Sequence, residues 1–282
     1  MELWYALVEL LPFEWARPDS MYFMKNALLA ILVISPLFGL LSTMVVESRM
    51  SFFSDALGHS AFTGIAIGAL CGLAEPMWCA VVFAAVFAVL FTYVRQHTSL
   101  ASDTVIGVFS STAVALGIFI ATLGGGSFTK FNALLVGDIL SVEPGKIGLL
   151  AAILLVVAVL WVCSFNQLML ASVHPSLADS RGIRVFWQES VFSVAIAVVV
   201  TVSMTWVGLL VINSLLVLPA AAGRNLARNL RQYHLFSVVG ALAAGVAGLL
   251  TSYQVGASTG ACITLYLALF FALTFCFRAR RM

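Results

Sequence analysis

Two side chains in an otherwise apolar stretch have the clearest potential for chemistry in this sequence. Asp55 and His59 lie four residues apart in the segment MSFFSDALGHSAFTGIAIG, which covers residues 50–68. A spacing of four places both side chains on one face of an α-helix, one turn apart. A carboxylate oxygen and an imidazole nitrogen form a mixed donor set that suits Zn²⁺, Mn²⁺ or Fe²⁺ better than Ca²⁺ or Mg²⁺.

The same pair could also have a purely structural role. The two side chains could simply bond to each other or cap the start of a helix, because two ligands do not complete a coordination sphere. Two protein ligands could nevertheless serve a transport site, where an ion must bind weakly enough to be released. From the residues alone, the pair indicates a pathway for an ion whose identity stays open.

The composition of the chain places this pair in a membrane. Of the 282 residues, 62% are hydrophobic and 9% are charged, whereas about 25% of the residues in ordinary globular domains are charged. An aspartate inside a bilayer costs roughly 3 kcal/mol even on a lenient insertion scale, so Asp55 should face protein or water and have a partner. Glycines at 58, 64 and 68 predict a small-residue surface on which another helix can close.

Apolar segments recur along the chain and predict an all-α, polytopic transmembrane helical bundle. A spanning helix needs about 20 predominantly apolar residues, and the run 149–162 is apolar on all sides, which excludes the alternation of a β-barrel. We predict eight or nine spans, because the region 188–222 could be partly re-entrant. The nine segments are 21–46, 53–73, 77–94, 104–123, 147–165, 188–203, 207–222, 235–253 and 258–277.

The basic residues predict the orientation of the bundle. If the first inter-helix loop is cytoplasmic and the spans alternate, ten of the 14 Lys and Arg residues fall on the cytoplasmic side. This bias places the N-terminus outside and the C-terminus in the cytoplasm. We interpret residues 1–20 as an outward interfacial segment and residues 21–282 as a single transmembrane domain. A net charge of +2 and scattered basic residues argue against a nucleic-acid partner.

A short basic stretch follows Pro219. Arg224, Arg228 and Arg231 recur at intervals of four and three, which predicts one stripe on a short helix that leaves the membrane at this proline. Such a stripe could bind anionic membrane lipid, or it could dock on a cytoplasmic partner. The sequence has no GxxxxGK[ST] loop, so the chain does not hydrolyse ATP by itself.

Three segments resemble the permease subunits of ATP-binding-cassette importers for zinc, manganese and iron(II). They are RMSFFSDALGHSAFTGIAIG at 49–68, FNALLVGDILSV at 131–142 and VGLLVINSLLVLPAAAGR at 207–224. The first is similar to the family's Arg-Met-Ser entry with an Asp-x-x-x-His pair, the second to its Leu-x-Gly-Asp element, and the third to its Pro-Ala-Ala exit from the membrane. The resemblance spans about residues 25–277.

The resemblance implies a permease that moves zinc or manganese, possibly iron(II), across the bacterial inner membrane by alternating access. It implies no enzymatic activity and no permanently bound cofactor, since the metal is the cargo. Its implied partners are a second permease copy, a dimer of cytoplasmic ATP-binding subunits and an extracytoplasmic metal-binding protein. Carried over, Asp55 and His59 would contact the metal, and the loop 223–234 with Arg224, Arg228 and Arg231 would couple to the ATPase.

Two other classes of function compete with this interpretation. An ATP-independent secondary carrier could exchange a divalent ion for protons through the same Asp55–His59 pair, although such carriers usually have more charges within their spans. A multi-pass enzyme should bring several polar groups together in the membrane, and the sequence does not indicate such a group. Many members of the family that the sequence resembles have an acidic residue near the outer end of the penultimate span, whereas the segment 251–260 here contains Tyr253 and Gln254 but no carboxylate. The sequence therefore does not decide between zinc, manganese and iron(II).

Overall fold

The computed structural model describes residues 2–9, 15, 17, 22–123, 137, 139–142 and 144–279, and these residues are predominantly α-helical. A 3₁₀ turn covers Ile139–Ser141. The helices are α1 (Glu2–Val8), α2 (Tyr22–Glu47), α3 (Phe53–Leu70), α4 (Pro76–His97), α5 (Ser102–Leu123), α6 (Pro144–Val173), α7 (Pro175–Ser180), α8 (Val185–Val207), α9 (Leu209–Leu226), α10 (Leu230–Val255) and α11 (Thr259–Ala279).

The predicted all-α transmembrane bundle is confirmed. In the described part of the chain, eight helices are long and apolar enough to cross a membrane, namely α2, α4, α5, α6, α8, α9, α10 and α11. The helix α3 is not among them because it contains polar residues, including Asp55 and His59. Its 18 residues nevertheless extend about 27 Å, and it packs against α4, α5, α8 and α9. The described part of the bundle therefore contains eight apolar spans and the helix α3, which is more polar and packs against four of them.

Glycines bring α3 close to its neighbours. A Cβ atom on Gly64 would lie 2.4 Å from the Cα of Ala80, and one on Gly68 would lie 3.0 Å from the Cα of Pro76. Both contacts are with the backbone of α4, so a side chain at Gly64 would force the helices apart and one at Gly68 would be tightly packed. The hydroxyl of Thr63 donates to the carbonyl of Ala113 in α5 at 2.7 Å. The predicted small-residue surface on α3 is confirmed.

A second group of helices packs through small and hydroxyl side chains. The hydroxyls of Ser42 in α2 and Ser237 in α10 are 2.8 Å apart and buried. A Cβ atom on Gly248 in α10 would lie 2.7 Å from the Cα of Ile263 in α11. These close approaches are typical of helix pairs in membranes, where van der Waals contact and interhelical hydrogen bonds replace the hydrophobic effect.

Arginines connect the helices at one end of the bundle, which we call the basic face. Arg95 at the end of α4 is 2.7 Å from Glu189 in α8, and it donates to the carbonyl of Ser48. Arg224 in α9 is 3.6 Å from Glu47 at the end of α2, and Arg278 in α11 donates to the side chain of Asn225. The ends of α2, α4, α9 and α11 therefore meet at the basic face.

The opposite end of the bundle carries the N-terminal helix. Because α2 has 26 residues and is about 39 Å long, its start lies far from the basic face. There, Lys25 has no solvent exposure, and its Nζ is 3.1 Å from Glu9 and lies over the rings of Tyr5 and Tyr22. Trp4 donates to the carbonyl of Lys25. The helix α1 lies within the predicted outward interfacial segment 1–20 and docks on α2, while the interfacial position and the orientation across the membrane stay predictions.

The prediction of a short basic helix after Pro219 is wrong. Pro219 lies inside α9, which continues to Leu226, and α10 begins at Leu230. Arg224 is on α9, Arg228 lies in the break and Arg231 is on α10, so the three arginines do not form one stripe on one helix. The residues after the proline remain helical, and Ala220 and Ala222 among them are buried in the bundle.

The break between α9 and α10 has a local cause. Ala227 has an extended backbone, and the side chain of Asn229 accepts a hydrogen bond from the backbone N–H of Gln232. Asparagine is a favoured residue at this position, the N-cap, because it satisfies a free N–H at the start of a helix. The segment 223–234, predicted to be a coupling loop, therefore contains the end of one spanning helix and the start of the next.

Substitution at the α3–α4 crossing should destabilise the bundle. We expect Gly64→Ala to lower the melting temperature of the purified protein in detergent by several degrees, because its Cβ would contact the backbone of α4. Gly107→Ala in α5 is the matched control, since a Cβ there has nothing within 4 Å. Equal melting temperatures for the two variants would contradict the close approach of α3 and α4.

Candidate functional site

Asp55 and His59 lie together on α3, as their spacing predicts. The Nε2 atom of His59 is 3.4 Å from the Oδ2 atom of Asp55. The side chain of Asp55 is 44% exposed and that of His59 is 19% exposed, so the pair lies on a partly open face of the chain. A third side chain also contacts Asp55.

Asn213 is this third residue, and the sequence analysis did not single it out. Its side-chain nitrogen donates to the Oδ1 atom of Asp55 at 3.1 Å. Asn213 lies on α9, within the block 207–224 that resembles the metal permeases. The available signal was a carboxamide in the otherwise apolar run LLVINSLLVL. The two oxygens of Asp55 are thus held by different helices, one by α3 and one by α9.

A glycine junction places α9 beside α3. Gly208 separates α8 from α9 with a φ of 85° and a ψ of 146°, a conformation open to glycine and strained for other residues. A Cβ atom on Gly137 would lie 2.2 Å from the backbone nitrogen of Gly208, so these two backbones are in direct contact. A Cβ atom on Gly58 would lie 2.4 Å from Leu209 at the start of α9.

These contacts bring together the three segments that resemble the permease family. Gly58 comes from the first, Gly137 from the second and Gly208 from the third. Of the second segment, the structure describes only residues 137 and 139–142, so the Asp138 of its Gly-Asp pair lies outside the described residues. The sequence blocks form one neighbourhood around the start of α9.

The depth of this neighbourhood can be read along α9. Asn213 precedes Arg224 by 11 residues on that helix, which corresponds to about 16 Å along its axis. The hydrocarbon core of a bilayer is about 30 Å thick. The contact between Asn213 and Asp55 therefore lies about half a membrane thickness from the basic face.

Other metal-binding side chains do not assemble elsewhere in the described part of the chain. Among those residues, no group of three or more His, Cys, Asp or Glu side chains is placed to hold an ion. The five cysteines are free. His234 packs against the rings of Trp161 and Phe165 instead of a carboxylate. The candidate donors in the described helices are therefore Asp55, His59 and the amide of Asn213.

The basic face presents a second kind of surface. Arg224, Arg228 and Arg231 are exposed there, and the side chain of Arg224 is 61% exposed despite its contact with Glu47. The short helix α7 connects α6 to α8 at this face and is a further exposed element. It lies between the predicted spans 147–165 and 188–203, where no helix was predicted. Its signals were Pro175 in the first turn and Gly182 just beyond its end, where φ is 73°.

Comparison with known proteins places the chain among metal-import permeases. The manganese import system permease protein ScaB of Streptococcus parasanguinis is 32% identical over 91% of each chain. The high-affinity zinc uptake system membrane protein ZnuB of Haemophilus influenzae is 26% identical over 90% of this chain and 97% of that protein. The structure of PsaBC from Streptococcus pneumoniae superimposes with a TM-score of 0.77 at 27% identity, covering 98% of this chain and 95% of that one.

A family model describes almost the whole of the bundle. The model of the ABC 3 transport family matches residues 20–278, a range that includes all helices from α2 to α10 and nearly all of α11. The match also includes the three segments that meet at the start of α9. The chain therefore belongs to the ABC 3 transport family.

Proposed function

We propose that this chain is the permease subunit of an ATP-binding-cassette importer and that it moves manganese or zinc across the bacterial plasma membrane. The observation that carries the proposal is the Asp55–His59 contact on a helix that packs against four apolar spans. An anionic oxygen and an imidazole nitrogen attract a divalent transition metal. The similarity to ScaB and ZnuB, which are named for manganese import and zinc uptake, supports the choice of cargo.

The ion would bind to an ionised Asp55 and a neutral His59. Metal ligands must be deprotonated, so binding displaces any proton held by either group. Two strong ligands per chain form an incomplete coordination sphere, which keeps the ion exchangeable. The exposed part of the Asp55 side chain leaves room for water or for a second copy of the permease to supply further ligands. We therefore propose a homodimer in which the two pairs flank one pathway.

The basic face is the proposed contact with a separate ATP-binding subunit. Exposed Arg224, Arg228 and Arg231 offer positive charge at the junction of α9 and α10. α9 links that junction to Asn213 within one continuous helix. A displacement of the basic face during ATP hydrolysis would therefore move the start of α9 relative to α3. The opposite end of the bundle, which carries α1, would face the extracytoplasmic metal-binding protein.

Loss of either metal-facing side chain should abolish transport. We expect Asp55→Ala and His59→Ala to reduce metal uptake at least tenfold in cells or liposomes, because each variant removes one of the two strong ligands. Both variants should still assemble with the ATP-binding subunit. His97→Ala and Asp103→Ala are matched controls, since both residues are exposed at the basic face. Uptake at the wild-type rate by both Asp55→Ala and His59→Ala would contradict the assignment of these residues as metal ligands.

The requirement for ATP separates the importer from the secondary carrier. The complex of permease and ATP-binding subunit, reconstituted in liposomes, should accumulate labelled Mn²⁺ or Zn²⁺ only when ATP is supplied on the side of the ATP-binding subunit. A variant of that subunit that binds but does not hydrolyse ATP is the control. Accumulation by the permease alone, driven by a proton gradient, would favour the carrier.

Charge reversal at the basic face should weaken assembly. We expect Arg228→Glu combined with Arg231→Glu to reduce co-purification of the ATP-binding subunit in detergent, where bulk anionic lipid is absent. The combination Arg228→Lys with Arg231→Lys keeps the charge and is the control. Undiminished co-purification of the Glu variant would exclude these arginines from docking. Loss of co-purification only after substitutions in α7 would move the docking site to that helix.

A further inference from the structure

The side chain of Asn213 has one polar atom satisfied and one unsatisfied. Its nitrogen donates to Asp55, whereas its Oδ1 atom is buried and accepts no hydrogen bond from the residues that the structure describes. A buried carbonyl oxygen without a donor is rare in proteins and requires an explanation, of which an ion is one. Asn213 adjoins a carboxylate–imidazole pair, so a cation is the explanation that its surroundings favour.

The present orientation of the amide follows from the charge of Asp55. A carboxylate only accepts hydrogen bonds, so the NH₂ group of the amide turns toward it and the oxygen turns away. A cation bound to Asp55 would reverse this preference, because it attracts the amide oxygen and repels the NH₂ group. Rotation about the terminal side-chain torsion exchanges the two atoms without displacing the helix.

We propose that Asn213 faces the transported ion, and that its amide oxygen biases the site toward manganese over zinc. This inference rests on the proposed function of the Asp55–His59 pair. With Asn213, each chain offers two oxygen donors and one nitrogen donor. Carboxylate and carbonyl oxygens suit Mn²⁺, whereas Zn²⁺ prefers sites rich in imidazole or thiolate with only four ligands.

The position of Asn213 makes this donor movable. It lies on α9, five residues beyond the Gly208 junction, whereas Asp55 and His59 lie on α3. The contact between Asn213 and Asp55 therefore joins two different helices. A shift of α9 that opens this contact would remove the third donor and leave the ion with two protein ligands, which favours release.

Competition between the two metals tests the proposal. The reconstituted complex of permease and ATP-binding subunit would receive Mn²⁺ and Zn²⁺ at equal free concentrations below saturation, with ATP present. We expect Asn213→Ala to lower manganese uptake at least tenfold and zinc uptake no more than threefold. Asn213→His, which replaces the oxygen donor with a nitrogen donor, should shift the uptake ratio further toward zinc, and Asn213→Asp should keep the preference for manganese.

Ser214→Ala is the matched control, because Ser214 is the adjacent residue but pairs with Thr264 in α11. It should leave the ratio of the two metals unchanged. If Asn213→Ala does not fold, the His and Asp variants still test the ratio. Equal changes in manganese and zinc uptake in the Asn213 variants would overturn the proposal while leaving the Asp55–His59 site intact. A wild-type complex that transports neither metal would overturn the proposed function itself.

Discussion

Asp55, His59 and Asn213 form a polar contact between two helices of an otherwise apolar bundle. A carboxylate in an apolar bundle is costly unless it is paired, and here its two oxygens are held by an imidazole from α3 and an amide from α9. The amide of Asn213 is neutral, so it orients the carboxylate without cancelling its charge. The bundle thus holds a charge for which a divalent cation is the natural counterion.

The helices around this contact are arranged to keep it accessible. Glycines at 64 and 68 draw α3 against α4 on one side, and the glycine junction at 208 starts α9 against α3 on another. Such close packing leaves the exposed face of Asp55 as the open side of the pair. At the basic face, pairs such as Arg95–Glu189 and Arg224–Glu47 join helix ends that are distant in sequence, including the end of α9.

Continuous apolar runs made the spans predictable from sequence, and helical spacing made the Asp55–His59 contact predictable as well. Asn213 was not predictable in the same way, because it lies 158 residues from Asp55 and only the packing of α9 on α3 brings them together. The membrane exit was misplaced at Pro219 because the residues after it continue the same helix to Leu226 and include buried alanines. The cap at Asn229 was a local signal that could have located the break.

Pulsed electron paramagnetic resonance of Mn²⁺ bound to the purified complex tests the central claim most directly, because it detects nitrogen atoms coordinated to the ion. We expect a histidine nitrogen coupling in the wild-type protein that disappears in His59→Ala. A nitrogen coupling that persists in His59→Ala, or bound Mn²⁺ without any nitrogen coupling in the wild type, would contradict it.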